Sequence, residues 1–170
     1  MRIILSFVLL AGLISPLKGD ELILTQQVRL SLAGAEKALA ASKAKAQEMK
    51  LRVNIAVVDD GGHLLAFARL DGARPGSAPT AMTKAYTAAV MRQPTGPAGP
   101  KDAPDQFLSL SLQNAAAASG GKITTLYGGI PITVNGQVIG AIGVGGATGE
   151  QDAIIAKAGV EALIAALENK

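Results

Sequence analysis

The sequence predicts an α+β domain, a five-stranded antiparallel sheet with helices to cover it. Three observations predict it. Short β-branched runs are joined by turn chemistry rather than by crossover-length segments. Longer runs carry apolar residues at helical spacing. The core must also be built from small aliphatic side chains: of 170 residues 49% are hydrophobic, yet there is no Trp, with three Phe and two Tyr. Such a composition suits helices packed closely on a sheet.

The elements follow in order. Leu24 to Lys50 reads as a helix, with Val28, Leu32, Ala35 and Leu39 on one face and Thr25 as its N-cap. Val53 to Val58 is a β-branched strand. Asp59-Asp60-Gly61-Gly62 supplies the residues of a tight hairpin turn, and His63 to Leu70 is the return strand. Ala81 to Met91 forms a second helix that Pro94 stops, because proline lacks an N–H and restricts its predecessor. The segment PTGPAGPKDAP, 94–104, is a Pro/Gly-rich loop and the one expected to move most. Asp105 to Ala118 is a short helix. Ile123 to Tyr127 is a third strand, and two more strands flank Asn135-Gly136, a strong short hairpin signal. Thr148 and Gln151 stand at capping-box spacing before an alanine-rich helix, Gln151 to Glu168. The order α-β-β-α-α-β-β-β-α gives five strands and one domain, with no internal repeat.

The first nineteen residues read separately. Arg2 is a short positive region, and Ile3 to Ile14 is an apolar stretch too short to span a bilayer comfortably. A secretory signal peptide cut near Gly19–Asp20 is expected, although Leu17 is a poor match to the small residue wanted before the cut. An uncleaved N-terminal anchor is the alternative. On the first reading residues 20–170 are the mature domain, periplasmic or secreted, with no stable membrane anchor after processing. Cleavage removes Arg2 and Lys18, so the formal charge falls from +3 to +1. No basic cluster is interleaved with aromatics, and nucleic acid is not an expected partner. The chain has no Cys. That excludes disulfides, thiolate metal ligands, a cysteine nucleophile and a lipid-modified N-terminus.

Several ordered segments carry a family signature: VVDDGGHLLAFARLDGA (57–73), TKAYTAAVMRQPT (83–95), GGIPITVNGQVIGAIGVGGATGEQD (128–152) and IAKAG (155–159). Together they resemble the haem-binding GlcG/HbpS-like family, which is related to the C-terminal domain of PduO-type cobalamin adenosyltransferases. The resemblance covers about residues 25 to 168. It implies a profilin-like α/β/α sandwich with a five-stranded antiparallel sheet, homo-oligomers and, in some members, binding of haem or a corrinoid. One departure stands out: relatives often read G-V-S-G where this chain has Gly143-Val144-Gly145-Gly146. A hydroxyl is missing from a rim that lines a ligand if one binds there.

The residues offer a limited chemistry. His63 is the only histidine. It suits a haem ligand or an acid/base, or merely caps its turn. One His cannot build a three-nitrogen zinc site, and no HExxH is present. If the return strand alternates regularly, His63, Leu65, Phe67 and Arg69 share one face and offer imidazole, an apolar wall and a guanidinium. Lys84 and Thr87, three apart on the second helix, are neighbours. Lys84 suits a propionate or substrate carboxylate, Thr87 a weak oxygen ligand and Tyr86 a phenolate. A plain helix with one solvated lysine is the competing account. Met82 and Met91 are either axial thioethers or core. Arg69, Asp71 and Arg74 can pair, either to position an anion or as a structural contact. The glycines of GAIGVGGATGEQD can bring N–H groups to an anion or permit close packing. They miss G-x-G-x-x-G. Asp152 suits the helix dipole. Neither G-x-S-x-G nor a distinct carboxylate pair is present.

These features favour an exported haem- or tetrapyrrole-binding protein that serves as carrier, scavenger or sensor accessory. A small cofactor-free enzyme acting on a carboxylate or carbonyl metabolite, with Lys84 and His63 at its site, is the alternative from another class. A ligand-free accessory oligomer is the third.

Overall fold

The computed structural model describes residues 27–100 and 102–169. Four α-helices and four strands follow in the order α1 (Leu32–Glu48), β1 (Asn54–Asp59), β2 (Leu64–Arg69), α2 (Ala78–Val90), α3 (Gln106–Ala116), β3 (Gly129–Val134), β4 (Gln137–Gly145) and α4 (Gly149–Glu168). Single 3₁₀ turns precede α2 and follow α3. The strands form one antiparallel sheet in the order β2-β1-β4-β3.

Alternation in the two central strands sends residues to two cores. Ile55 and Val57 of β1 join Ile142 and Val144 of β4 beneath α1 and α4, against Ala35, Ala38, Ile155 and Leu163. Ala56, Val58 and Ala141 meet Ala81, Ala85, Ala88 and Ala89 of α2 on the opposite face. The second core is almost all alanine, so α2 lies very near the sheet. Gly143 permits this: a Cβ there would collide with the Ala81 carbonyl and the Ala85 amide.

The sheet has four strands, not the five expected. Ile123–Tyr127 forms no ladder, because other groups satisfy its polar atoms. The Thr87 hydroxyl accepts from the Thr124 amide at 3.0 Å and lies 3.2 Å from the Lys122 carbonyl. Gln113 Nε2 donates to Thr125 Oγ1 at 2.7 Å. Leu126 remains half exposed, so β propensity is not backed by a buried face. The first helix is also shorter than expected. Ser31, not Thr25, is its cap, with Ser31 Oγ accepting from the Gly34 amide at 3.1 Å. Thr25 and the proposed signal segment lie outside the described residues. The expected Asn135-Gly136 hairpin is present with positive φ at both residues, and so is the full Thr148/Gln151 capping box. The loop after Pro94 is tied down at Thr95, whose hydroxyl accepts from the Gly129 amide at 2.8 Å, and at Ala98, whose amide donates to Ser109 Oγ at 3.0 Å.

Candidate functional site

His63 stands just past the β1–β2 turn. Asp59 Oδ1 accepts from the Gly61 amide at 3.0 Å and the His63 amide at 2.8 Å, and lies 3.2 Å from His63 Nδ1. In the neutral imidazole this contact favours the tautomer with the proton on Nδ1, because a carboxylate accepts, and the lone pair on Nε2. The imidazole is 82% exposed. The Asp59 carboxylate caps the turn, and His63 stands beside it with its ring facing solvent.

The strand that follows does not carry the expected stripe. A β-bulge between Val57 and Val58 shifts the register, so Leu64 faces Val58 while Ala66 faces Val57. Leu65 thereby joins the α1/α4 core with Ala66. Phe67 pairs with Ala56 and Arg69 with Asn54, on the α2 side. Strand β2 lies at the sheet edge, and there Leu64 and Phe67 remain 52% and 37% exposed.

Beside the hairpin is an open groove of about 260 Å³, lined by Gly62, Pro79, Met82, Thr83, Tyr86 and Lys122. Tyr86 seats its ring against Gly62, where a Cβ would overlap it. Lys122 Nζ stands 5.4 Å from the centre of that ring, a cation–π contact. Pro79, Met82 and Tyr86 recur on one stripe of α2 at three- and four-residue spacing.

Lys84 belongs to another stripe, two residues and about 200° from both Met82 and Tyr86, and Thr87 is turned about 100° from Tyr86. Lys84 is buried, donating to Asp152 Oδ2 at 2.7 Å and to the Val144 carbonyl at 2.8 Å. Asp152 is 1% exposed and its Oδ1 accepts from the Ala147 amide at 3.2 Å. Burial pushes the Asp152 carboxyl above its usual range, against the opposing hydrogen bond and charge of Lys84. Gly128 makes room for the pair: a Cβ there would stand 2.6 Å from Asp152 Cβ and 3.0 Å from Lys84 Nζ. Thr87 pins the segment after α3, as described above. At the end of β4, Gly145 serves close packing on α2: a Cβ there would stand 2.6 Å from Thr80 Oγ1 and 2.8 Å from the Ser77 carbonyl oxygen.

Arg69 lines a separate, larger cleft with Lys43, Lys50, Arg52 and Asp71. Among the described residues Arg69, Asp71 and Arg74 form no ion pair with one another; Arg74 donates to the Gly146 carbonyl at 3.3 Å. Of the six expected site residues, Tyr86 lines the groove, His63 and Phe67 stand on the adjoining hairpin, and Lys84, Thr87 and Arg69 point elsewhere. Sequence reading missed Lys122, 36 residues from Tyr86 and in no recognisable motif, and it missed the Lys84 partnership of Asp152.

Residues 30–161 match the family described as haem degrading protein, HbpS-like. The chain belongs to this HbpS-like family. It is similar to protein GlcG of Escherichia coli K12, with 40% identity over 118 residues, which covers 69% of this chain and 82% of GlcG. The crystal structure of HbpS superposes with a TM-score of 0.67 at 33% identity, covering 87% of this chain and 97% of that one. The crystal structure of a PduOC–haem complex gives 0.65 at 28% identity, covering 79% and 95%. Among the described residues no helix is long and apolar enough to cross a membrane, and no group of three His, Asp or Glu is placed to hold a metal ion.

Proposed function

We propose that this protein is an exported haem-binding protein, acting as a carrier, scavenger or accessory to a sensor, with its ligand at the groove between the β1–β2 hairpin and α2. The observation that carries the proposal is the groove's composition in a chain of this family. It joins an apolar wall, an aromatic ring and a cation beside a histidine with a free Nε2. That donor set fits haem. Imidazole, thioether and phenolate are all iron-ligating groups, here His63, Met82 and Tyr86. Leu64 and Phe67 supply exposed apolar surface for the macrocycle, and Lys122 suits a propionate. Bound haem supplies redox and gas-binding chemistry. The protein's part is to hold the His63 tautomer through Asp59, exclude water with Pro79 and Met82, and neutralise acid groups with Lys122. Haem is preferred to a corrinoid because a similar solved structure, the PduOC complex, holds haem.

Titration followed by Soret absorbance tests this proposal. His63→Ala weakens haem binding about tenfold, equivalent to roughly 1.4 kcal/mol. Tyr86→Ala and Lys122→Ala weaken it as well. Unchanged affinity and spectrum in all three variants would move the ligand elsewhere.

A further inference from the structure

A second cleft, of about 420 Å³, opens between the start of α2 and the β4–α4 junction. Arg74, Thr80, Pro97 and Tyr127 are among its walls, and Lys84 and Asp152 both line it. We propose that this cleft binds a small oxyanion-bearing metabolite, a carboxylate or a phosphate, through Lys84 and Arg74. The site is separate from the haem groove and does not depend on it.

The argument rests on what is satisfied and what is not. An ammonium has three donors. Lys84 uses two, on Asp152 and on the Val144 carbonyl, and the third has no acceptor among the described residues although the side chain is only 5% exposed. Arg74 offers five N–H groups and, among the described residues, donates one hydrogen bond, to the Gly146 carbonyl. The Asp152 carboxylate is already occupied by Lys84 and the Ala147 amide. The cleft thus presents one spare donor of the buried Lys84 and the guanidinium of the exposed Arg74, and the fitting ligand is acceptor-rich. Glu150, exposed on the lining, is the one opposing charge outside the pair.

A merely structural role explains the pair poorly. Replacing a buried ion pair by apolar side chains is often neutral or stabilising, so stability alone gives little reason to retain it. A structural pair also has no need to line an open cleft. The loop after Pro94 completes the wall: Gly96 and Gly149 both pack on Tyr127, where an added Cβ would stand 2.6 Å from its ring and 2.7 Å from its Cβ. Tyr127 and Pro97 give the cleft an apolar side. That favours an organic anion with a short carbon skeleton over a fully hydrated ion.

Isothermal titration of the haem-free protein with sodium phosphate and, separately, sodium malonate at constant ionic strength tests the assignment. Saturable one-to-one binding of at least one probe is expected, with the preferred probe telling phosphate from carboxylate. Arg74→Gln, an exposed position that leaves the Lys84–Asp152 pair intact, weakens it at least tenfold. Lys157→Ala, which removes an exposed cation on α4, retains wild-type affinity. In amide NMR spectra the resonances of Ala147 and Gly149 move during the titration. Absence of saturation with both probes, or Arg74→Gln binding as tightly as wild type, overturns the proposal. Haem titration of Arg74→Gln is unchanged, so failure here and failure of the haem proposal give different results.

Discussion

At the scale of single residues, Lys84 and Asp152 show how far side-chain chemistry can be read without a fold. Lys84 drew attention as a cation on a helix, but its partner lies 68 residues away. No local pattern encodes that distance, so Asp152 looked like an ordinary first-turn acid. The pair makes a pH prediction. Burial raises the folded-state pKa of Asp152 above its ordinary 3.8, so the native state binds more protons than the unfolded chain between those two values. Stability from this group therefore falls as pH rises through that window and is level above it. Urea unfolding of wild type and Asp152→Asn from pH 3.5 to 7 should show a difference that changes across the window and is flat beyond it. Removing one partner has a larger effect: Lys84→Met leaves a buried carboxylate uncompensated and costs about 3 to 5 kcal/mol. The double change Lys84→Met with Asp152→Leu recovers most of that loss. Gly143→Ala drives a methyl into α2 and costs about 3 kcal/mol in the same assay.

At the scale of elements, local signals located what local physics controls. The turn of the β3–β4 hairpin and the start of α4 were legible because Asn135-Gly136 and Thr148/Gln151 act within four residues. Thr148→Ala should remove one arm of the capping box and lower unfolding free energy by about 1 kcal/mol. The same reading failed where tertiary partners decide. Ile123–Tyr127 has strand composition but finds Thr87 and Gln113 instead of a neighbouring strand. The stripe expected along β2 is broken by a bulge whose only trace in sequence is the hairpin's polar turn. As a result the candidate site was legible in part. His63, Phe67 and Tyr86 stand around the hairpin and groove, while helical rotation carries Lys84 and Thr87 to another side of α2.

At the scale of the molecule, α3 has little to pack against. Phe107 is 82% exposed and Leu110 60%, and Ala116 alone is buried within the helix. From Gln106 to Ala116 there is no charged residue to repel a second copy. A homo-oligomer burying this helix is expected, dimeric or larger. Light scattering at micromolar concentration should give a multiple of the monomer mass, and Phe107→Lys should reduce it; a monomeric wild type would refute the idea. Export is tested at the same scale. Intact-mass measurement on periplasmic material should find a chain beginning near Asp20, whereas a full-length cytosolic product would sink the proposal.

The sheet order also sets a timetable. Asn54 and Gly145 are paired across the middle of the sheet, yet they are 91 positions apart in the chain. A ribosome adding 5–20 residues per second needs about 5 to 18 seconds to pass from one to the other. Until then the β1–β2 hairpin has no central neighbour, and an isolated two-stranded hairpin is marginal at best. The nascent polypeptide is thus barred by its own connectivity from closing early.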